Sequence, residues 1–162
     1  MKIFYQPFAT PVGRLHLYTD DVNVREIAFE NDSQHKRYVE HGLVEKKNKV
    51  MQLLMTQLDE YFKGRRRDFD LPLHIEGTAF QKKAWKYLAS IPYGKIVSYS
   101  EQAKKMGHSK AVRAVGSTNG RNYIPIILPC HRVMRASGEL GGYAGGLDMK
   151  KRLLRIEGHS DF

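Results

Sequence analysis

Ser98-Tyr99-Ser100-Glu101-Gln102-Ala103-Lys104-Lys105-Met106-Gly107-His108-Ser109-Lys110-Ala111-Val112-Arg113-Ala114-Val115-Gly116-Ser117 reads as two short helices in succession, and that reading decides the fold of the second half of the chain. Ser98, with Glu101 three residues on, is a capping signal, because a serine oxygen at the N-cap accepts from a free first-turn amide. Residues 102–106 continue the helix, Gly107 breaks it, and Ser109 is placed to cap a second helix through Ala111, Val112, Arg113, Ala114 and Val115. The pair forms a helix-turn-helix pattern, although helix pairs of this size also serve as plain packing units. The second helix is lean. Ala111, Ala114, Gly116 and Ser117 let its backbone approach a duplex closely, and Arg113 is its one long cationic side chain.

Upstream, Thr78 and Gln81 repeat the capping pattern before a helix carrying Phe80, Ala84, Tyr87, Leu88 and Ile91, stopped by Pro92. Before it, Arg65-Arg66-Arg67, Asp68, Asp70 and Pro72 read as a polar connector, which puts a domain boundary near Glu76. The first third alternates as short strands do: Ile3 and Tyr5, then Leu15 and Leu17 flanked by His16 and Tyr18, then Val24–Phe29 after a turn at Asp20-Asp21. Val50, Leu53, Leu54, Leu58 and Tyr61 recur at helical spacing and end near Gly64, so one helix covers one face of the sheet. The expected fold is α+β: a small N-terminal antiparallel sheet-plus-helix domain (1–76), then a mainly helical, winged-helix-like domain (77–162) containing the helix-turn-helix.

Charge divides at the same place. The whole chain carries 27 Lys+Arg and 17 Asp+Glu; residues 1–76 hold 12 and 12, net zero, and residues 77–162 hold 15 and 5, net +10. A basic surface can simply be a solvated one. Its confinement to one half favours a phosphate-binding face, since neutralising phosphates releases counterions without reading sequence. No apolar run is long enough to span a bilayer, and Met1-Lys2-Ile3-Phe4-Tyr5-Gln6-Pro7 has no signal-peptide pattern. The expected location is a reducing compartment: the cytoplasm, associated with the nucleoid, or the nucleus in a eukaryote.

Cys130 is the only cysteine. A disulfide within the chain and a four-thiolate zinc site are excluded, leaving an inert core thiol or a reactive one. It follows the apolar run Ile124-Pro125-Ile126-Ile127-Leu128 in Pro129-Cys130-His131-Arg132-Val133. Proline cannot donate to a ladder, so an apolar strand is expected to end here and present Cys130 at its rim. Gly138, Gly141, Gly142, Gly145 and Gly146 lack dinucleotide-binding spacing and suggest a flexible loop with close backbone approach. Gly94-Lys95 lacks the Ser or Thr of a phosphate loop, and the seven histidines make no paired-ligand spacing, so neither metal nor cofactor is expected.

These residues together resemble the O6-alkylguanine-DNA alkyltransferases, suicide repair proteins that move an alkyl group from guanine to their own cysteine. The likeness rests on Pro129-Cys130-His131-Arg132-Val133, the helix Ala111-Val112-Arg113-Ala114-Val115-Gly116, Asn122, the loop Gly141-Gly142-Tyr143-Ala144-Gly145-Gly146-Leu147 and the ending Leu153-Leu154-Arg155-Ile156-Glu157-Gly158. It is strong over residues 77–158; the first domain matches only in length and character. The resemblance implies that Cys130 attacks the alkyl carbon, His131 acts as base through a water, and Glu157 orients the histidine. It further implies that Asn122 holds the turn between recognition helix and site, and that Tyr99 protonates the departing guanine. Arg113 would fill the space left by a nucleotide extruded through the minor groove of double-stranded DNA. Pro125, Val133, Met134, Tyr143 and Ala144 would surround the guanine. Some members carry serine at the Ala144 position; the family contact there is a backbone amide, so the change should be tolerated. The zinc-binding cysteines of some relatives are absent. A monomer is expected, with cooperativity along DNA left open.

Elementary chemistry constrains this picture. Neighbouring residues do not face one another in a helix or a strand, so a direct Cys130–His131 bond is disfavoured and a bridging water removes the conflict. Lowering a thiol from about 8.5 to about 7 raises its thiolate fraction roughly fifteenfold near neutral pH but costs about fivefold in nucleophilicity, a net gain of only about threefold. Alignment and protonation of the leaving guanine must therefore carry more of the acceleration. Two other classes stay in view. A lesion sensor without transfer is disfavoured by the presence of Cys130, and a cysteine hydrolase leaves the basic helix pair unexplained.

Overall fold

Alternating apolar residues near the N-terminus form a three-stranded antiparallel meander of β1 (Phe4–Thr10), β2 (Gly13–Thr19) and β3 (Val24–Phe29). The computed structural model of the chain describes residues 1–32 and 37–162, and these divide into two units, Met1–Ile75 and Glu76–Phe162. The β2–β3 turn is closed by Asp20, whose Oδ1 accepts from the amides of Val22 (2.7 Å) and Asn23 (2.6 Å) and whose Oδ2 accepts from Arg25. Helix α1 (Lys49–Phe62) is capped by Asn48, which accepts from the Met51 amide, and packs Met51, Leu54, Leu58 and Tyr61 into the core of this unit. Leu53, expected on that apolar face, is instead exposed. Gln57 is buried on α1 instead, and its amide exchanges two hydrogen bonds with the backbone of Asp70, which ties the connector to α1.

The second unit starts with α2 (Ala79–Leu88), entered through the reciprocal Thr78–Gln81 capping box. The strand β4 (Val97–Ser98) leads into α3 (Tyr99–Lys105), capped by the Ser98 hydroxyl. Helix α3 ends in a Schellman turn: the amides of Gly107 and His108 return to the carbonyls of Lys104 and Ala103, with Gly107 at φ +78°. Helix α4 (Val112–Gly120) completes the helix-turn-helix over a small apolar cluster of Ala84, Ala103, Met106 and Val115. Cys130–Arg132 make one 3-10 turn, β5 (Val133–Met134) pairs in parallel with β4, and α5 (Leu147–Ile156) closes the chain.

Two local expectations are overturned. Ser109 does not cap α4. The Ala111 amide donates to the His108 carbonyl (2.8 Å), so residues 108–111 form a turn and the helix starts after Ala111 without a side-chain cap. The apolar run 124–128 is not a strand and presents no rim. The Leu128 amide returns to the Ile124 carbonyl (3.0 Å), Pro125 only bridges to Leu128, and Ile126 sits at φ +75°, unusual for a β-branched residue. Proline at 125 removes a ladder donor, and the Asn122 side chain supplies the competing partners described next.

Candidate active site

Asn122 follows α4 and brackets the apolar turn with its side chain. Its Oδ1 accepts from the Ile124 amide (2.9 Å), and its Nδ2 donates to the Leu128 carbonyl (2.7 Å) and to Cys130 Sγ (3.3 Å). One amide therefore fixes both ends of the turn and aims a donor at the thiol. Cys130 is buried at the start of the 3-10 turn rather than displayed, with its own amide bonded to the Leu128 carbonyl. Burial pushes its thiol above the ordinary value; the Asn122 hydrogen bond and the charge of Lys150 pull it back only in part. The resting group is a protonated thiol, not the acidified one considered from sequence.

His131 and Arg132, the next two residues of the 3-10 turn, meet the carboxylate of Glu157, the C-cap of α5. His131 Nε2 lies 2.6 Å from Oε2; Arg132 donates from Nε to Oε1 (2.7 Å) and from Nη2 to Oε2 (3.1 Å), and its Nη1 donates to the Ile91 carbonyl (2.7 Å). A second Schellman turn places this carboxylate: the amides of Gly158 and His159 return to Arg155 and Leu154, with Gly158 at φ +100°. Burial alone would raise the Glu157 carboxyl, but the hydrogen bonds from His131 and Arg132 and the charge of Arg132 prevail and hold it well below the usual carboxylate range. Burial lowers His131 below its ordinary 6.5 even though Glu157 opposes it. The pair at neutral pH is thus a carboxylate and a neutral imidazole. With the anion at Nε2, the ring proton belongs there and Nδ1 carries the lone pair. Nδ1 is buried and accepts no hydrogen bond from the described residues. Among the described residues no hydrogen bond joins it directly to Sγ.

Tyr99 opens α3. Its ring lies near Gly116 of α4, and its hydroxyl lies against Gly141, where a Cβ would come within 2.6 Å of the oxygen. Burial first, then Cys130, raise its hydroxyl above the ordinary tyrosine value, so it keeps its proton. Gly141 belongs to the glycine-bearing loop whose close backbone approach the composition suggested. Val133 and Met134 are buried in β5, Pro125 is buried in the turn, and Tyr143 and Ala144 are half-buried in the loop. On the helix-turn-helix, Arg113, Ala114 and Ser117 are exposed, while Ala111 and Gly116 are half-buried.

Two residues escaped the sequence reading. Arg132 appeared only as part of a motif, yet it is the cation paired with Glu157. Lys150 is fully buried, donating to the carbonyls of Val133 (2.8 Å), Leu140 and Gly142 (3.5 Å), which straps the loop to β5; burial pushes it down to about 8. The signal was available, because Lys150 shares the α5 stripe of Leu153, Leu154 and Glu157 at helical spacing.

Fold and site define a class: a two-unit α+β protein in which a helix-turn-helix stands beside a buried thiol and an imidazole–carboxylate–guanidinium cluster. Residues 79–159 match the family described as "6-O-methylguanine DNA methyltransferase, DNA binding domain", and residues 3–75 match its "ribonuclease-like domain". The chain is 43% identical over 156 residues to a methylated-DNA–protein-cysteine methyltransferase of Methanosarcina acetivorans, covering 96% of this chain and 99% of the relative. A protein of the same name from Mycobacterium tuberculosis is 52% identical over 103 residues, 64% of this chain and 62% of its own. The crystal structure of M. tuberculosis OGT in complex with DNA aligns with a TM-score of 0.86 at 37% identity, covering 95% of this chain and 92% of that one. The chain belongs to the 6-O-methylguanine DNA methyltransferase family.

Proposed function

We propose that this protein repairs DNA by taking an alkyl group from O6-alkylguanine onto Cys130, once per molecule. The observation that carries the proposal is the buried Cys130 thiol set beside a neutral His131 whose Nε2 is committed to Glu157, in the same basic unit as an exposed helix-turn-helix face. Cys130 Sγ attacks the alkyl carbon as the thiol proton passes, through a bridging water, to His131 Nδ1. Glu157 stabilises the imidazolium that forms, and Arg132 fixes Glu157. The bond from carbon to O6 breaks with its electron pair moving into the purine, which takes a proton from Tyr99. One S–H and one C–O bond are replaced by one S–C and one purine N–H bond, and the proton on His131 returns to Tyr99 through solvent. The product is a thioether with no ready hydrolytic leaving group, so the protein is consumed and needs no cofactor.

The damaged base lies inside a stack, so the nucleotide must be extruded at a cost of a few kcal/mol. In this reading α4 enters the minor groove with Ala111, Ala114, Gly116 and Ser117 close to the backbone, and Arg113 occupies the vacated position. Pro125, Val133, Met134, Tyr143 and Ala144 receive the guanine. Intact mass after incubation with a duplex carrying O6-methylguanine tests the whole scheme: one methyl in place of one hydrogen, located at Cys130, is expected. Cys130→Ser should bind the lesion duplex and leave it methylated. Demethylated DNA beside protein of unchanged mass refutes transfer, and repeated turnover of esters would favour a hydrolase.

A further inference from the structure

The apolar cluster shared by α2, α3 and α4 has Ala84, Ala103, Val115 and Met106 at its buried centre, with Phe80, Tyr87, Tyr99 and Val112 half-buried around them. Three of the four buried side chains are two alanines and an unbranched thioether, which define a helix's register less sharply by shape than a directional hydrogen bond does. Yet α4 must be held at a defined position if its exposed face is to meet a duplex while its C-terminal end leads to Asn122. Buried in this cluster is a polar contact that the proposed chemistry leaves unused. Gln102 of α3 and Asn119 of α4 exchange two amide hydrogen bonds: Asn119 Nδ2 donates to Gln102 Oε1 (2.7 Å), and Gln102 Nε2 donates to Asn119 Oδ1 (3.1 Å). Gln102 Nε2 also donates to the Ala84 carbonyl of α2 (3.2 Å). Both side chains are buried, and one residue before Asn119 the Thr118 carbonyl accepts from Trp85 Nε1 of α2 (2.9 Å).

We infer that the Gln102–Asn119 amide pair is a positioning device for the DNA-reading helix: it fixes the register of α4 against α2 and α3 and thereby delivers the extruded base to Cys130. Hydrogen bonds are directional where apolar contacts are not. A turn of α4 about its axis by one residue, about 100°, removes the three bonds that α4 makes here, two through Asn119 and one through the Thr118 carbonyl. The pair lies one turn beyond Tyr99 on α3 and three residues before Asn122, between the helix face that meets DNA and the side chain that aims at the thiol. The thiol centre itself is anchored elsewhere, through Arg132 to the Ile91 carbonyl and through Asn122 to the Leu128 carbonyl. Loss of the pair should therefore impair delivery from a duplex and spare the reaction of a base that needs no delivery.

This inference rests on the proposed alkyl transfer, and the test separates the two. The variant Gln102→Met with Asn119→Leu removes both partners at nearly constant volume, so neither is left buried alone and folding is preserved. Single-turnover rate constants are measured on an O6-methylguanine duplex and on free O6-benzylguanine. The expected result is a loss of tenfold or more on the duplex and less than twofold on the free base, with the melting temperature kept. The exchanged pair, Gln102→Asn with Asn119→Gln, keeps an amide-to-amide bridge and should recover most of the duplex rate; it also serves if the apolar variant does not fold. Parent-like repair of the duplex by the apolar variant overturns the inference, and so does an equal fractional loss on both substrates. Failure of the parent to gain mass from either substrate overturns the proposed function instead.

Discussion

Replacing Glu157 by glutamine gives the sharpest test of how the site is wired. The carboxylate accepts from His131 Nε2 at 2.6 Å and from Arg132 at 2.7 and 3.1 Å, and all three side chains are buried. An amide of the same shape can accept on one oxygen only, and its NH2 then faces either the guanidinium or the imidazole N–H. Arg132 is left as a buried cation without a counter-ion, a change that costs about 3–5 kcal/mol in comparable sites. For a protein of this size, with total stability of about 5–15 kcal/mol, that is a large fraction but not all of it, so the variant should be folded at low temperature and melt early. The reaction suffers separately, because His131 becomes an imidazolium only as the thiol proton arrives, and in the variant no anion receives it. Losing about 3 kcal/mol of that stabilisation slows transfer roughly 150-fold. Single-turnover transfer on an O6-methylguanine duplex, measured well below the melting temperature, reads this directly, alongside binding of the same duplex. Expected are unchanged affinity, early melting and a rate constant lower by about two orders of magnitude. A folded Glu157→Gln protein that transfers within threefold of the parent refutes the role assigned to the carboxylate.

Three further outcomes are expected. Arg113→Ala should lose more in transfer rate than in affinity if Arg113 fills the space left by the base; equal losses in rate and affinity make it a phosphate contact only. The pH dependence follows from His131, whose folded value burial holds below 6.5. Transfer should stay flat as pH falls through 6.5 and decline only further down. Since the unfolded chain takes up that proton first, stability should fall as pH drops below about 6.5; a melting temperature that rises on acidification contradicts this. In Gly141→Ala, the added Cβ would sit 2.6 Å from the Tyr99 oxygen at a backbone φ of +72°, so Tyr99 must move. Backbone strain of about 1 kcal/mol and a displaced hydroxyl should slow transfer with duplex affinity retained, and a parent-like rate removes Tyr99 from the reaction.

Periodic and capped elements were legible in the sequence because their causes are local. The Thr78–Gln81 box, the Ser98 cap and the Gly107 stop each depend on residues within one helical turn. The misread elements depend on partners further off or on competition between equals. Ser109 has the chemistry of a cap, but the turn closed by Ala111 and His108 starts α4 two residues later. The run 124–128 has strand composition, and only the Asn122 side chain, acting on both its ends, makes it a turn. The choice of Cys130, His131 and Glu157 as candidates came from resemblance, whereas their electrostatic state could not be read there. Burial of the thiol, the tautomer of the imidazole and the cation on the carboxylate all arise from residues far apart in the chain.

That electrostatic state changes how the thiol must be activated. A cysteine acidified at rest would react with any accessible electrophile, since the thiolate is the reactive form. Cys130 is instead held protonated by burial, beside a neutral imidazole whose own proton faces Glu157. Because burial disfavours the thiolate and the imidazolium each alone, the proposed transfer forms them together, in one proton shift that leaves the site's net charge unchanged. The sulfur that results keeps the high nucleophilicity of a weakly acidic thiol, and the proton need move only while a correctly placed alkyl carbon is being attacked. In the transfer proposed above, a thiol inert until the base is in place would keep the chain's only cysteine from being lost to other electrophiles.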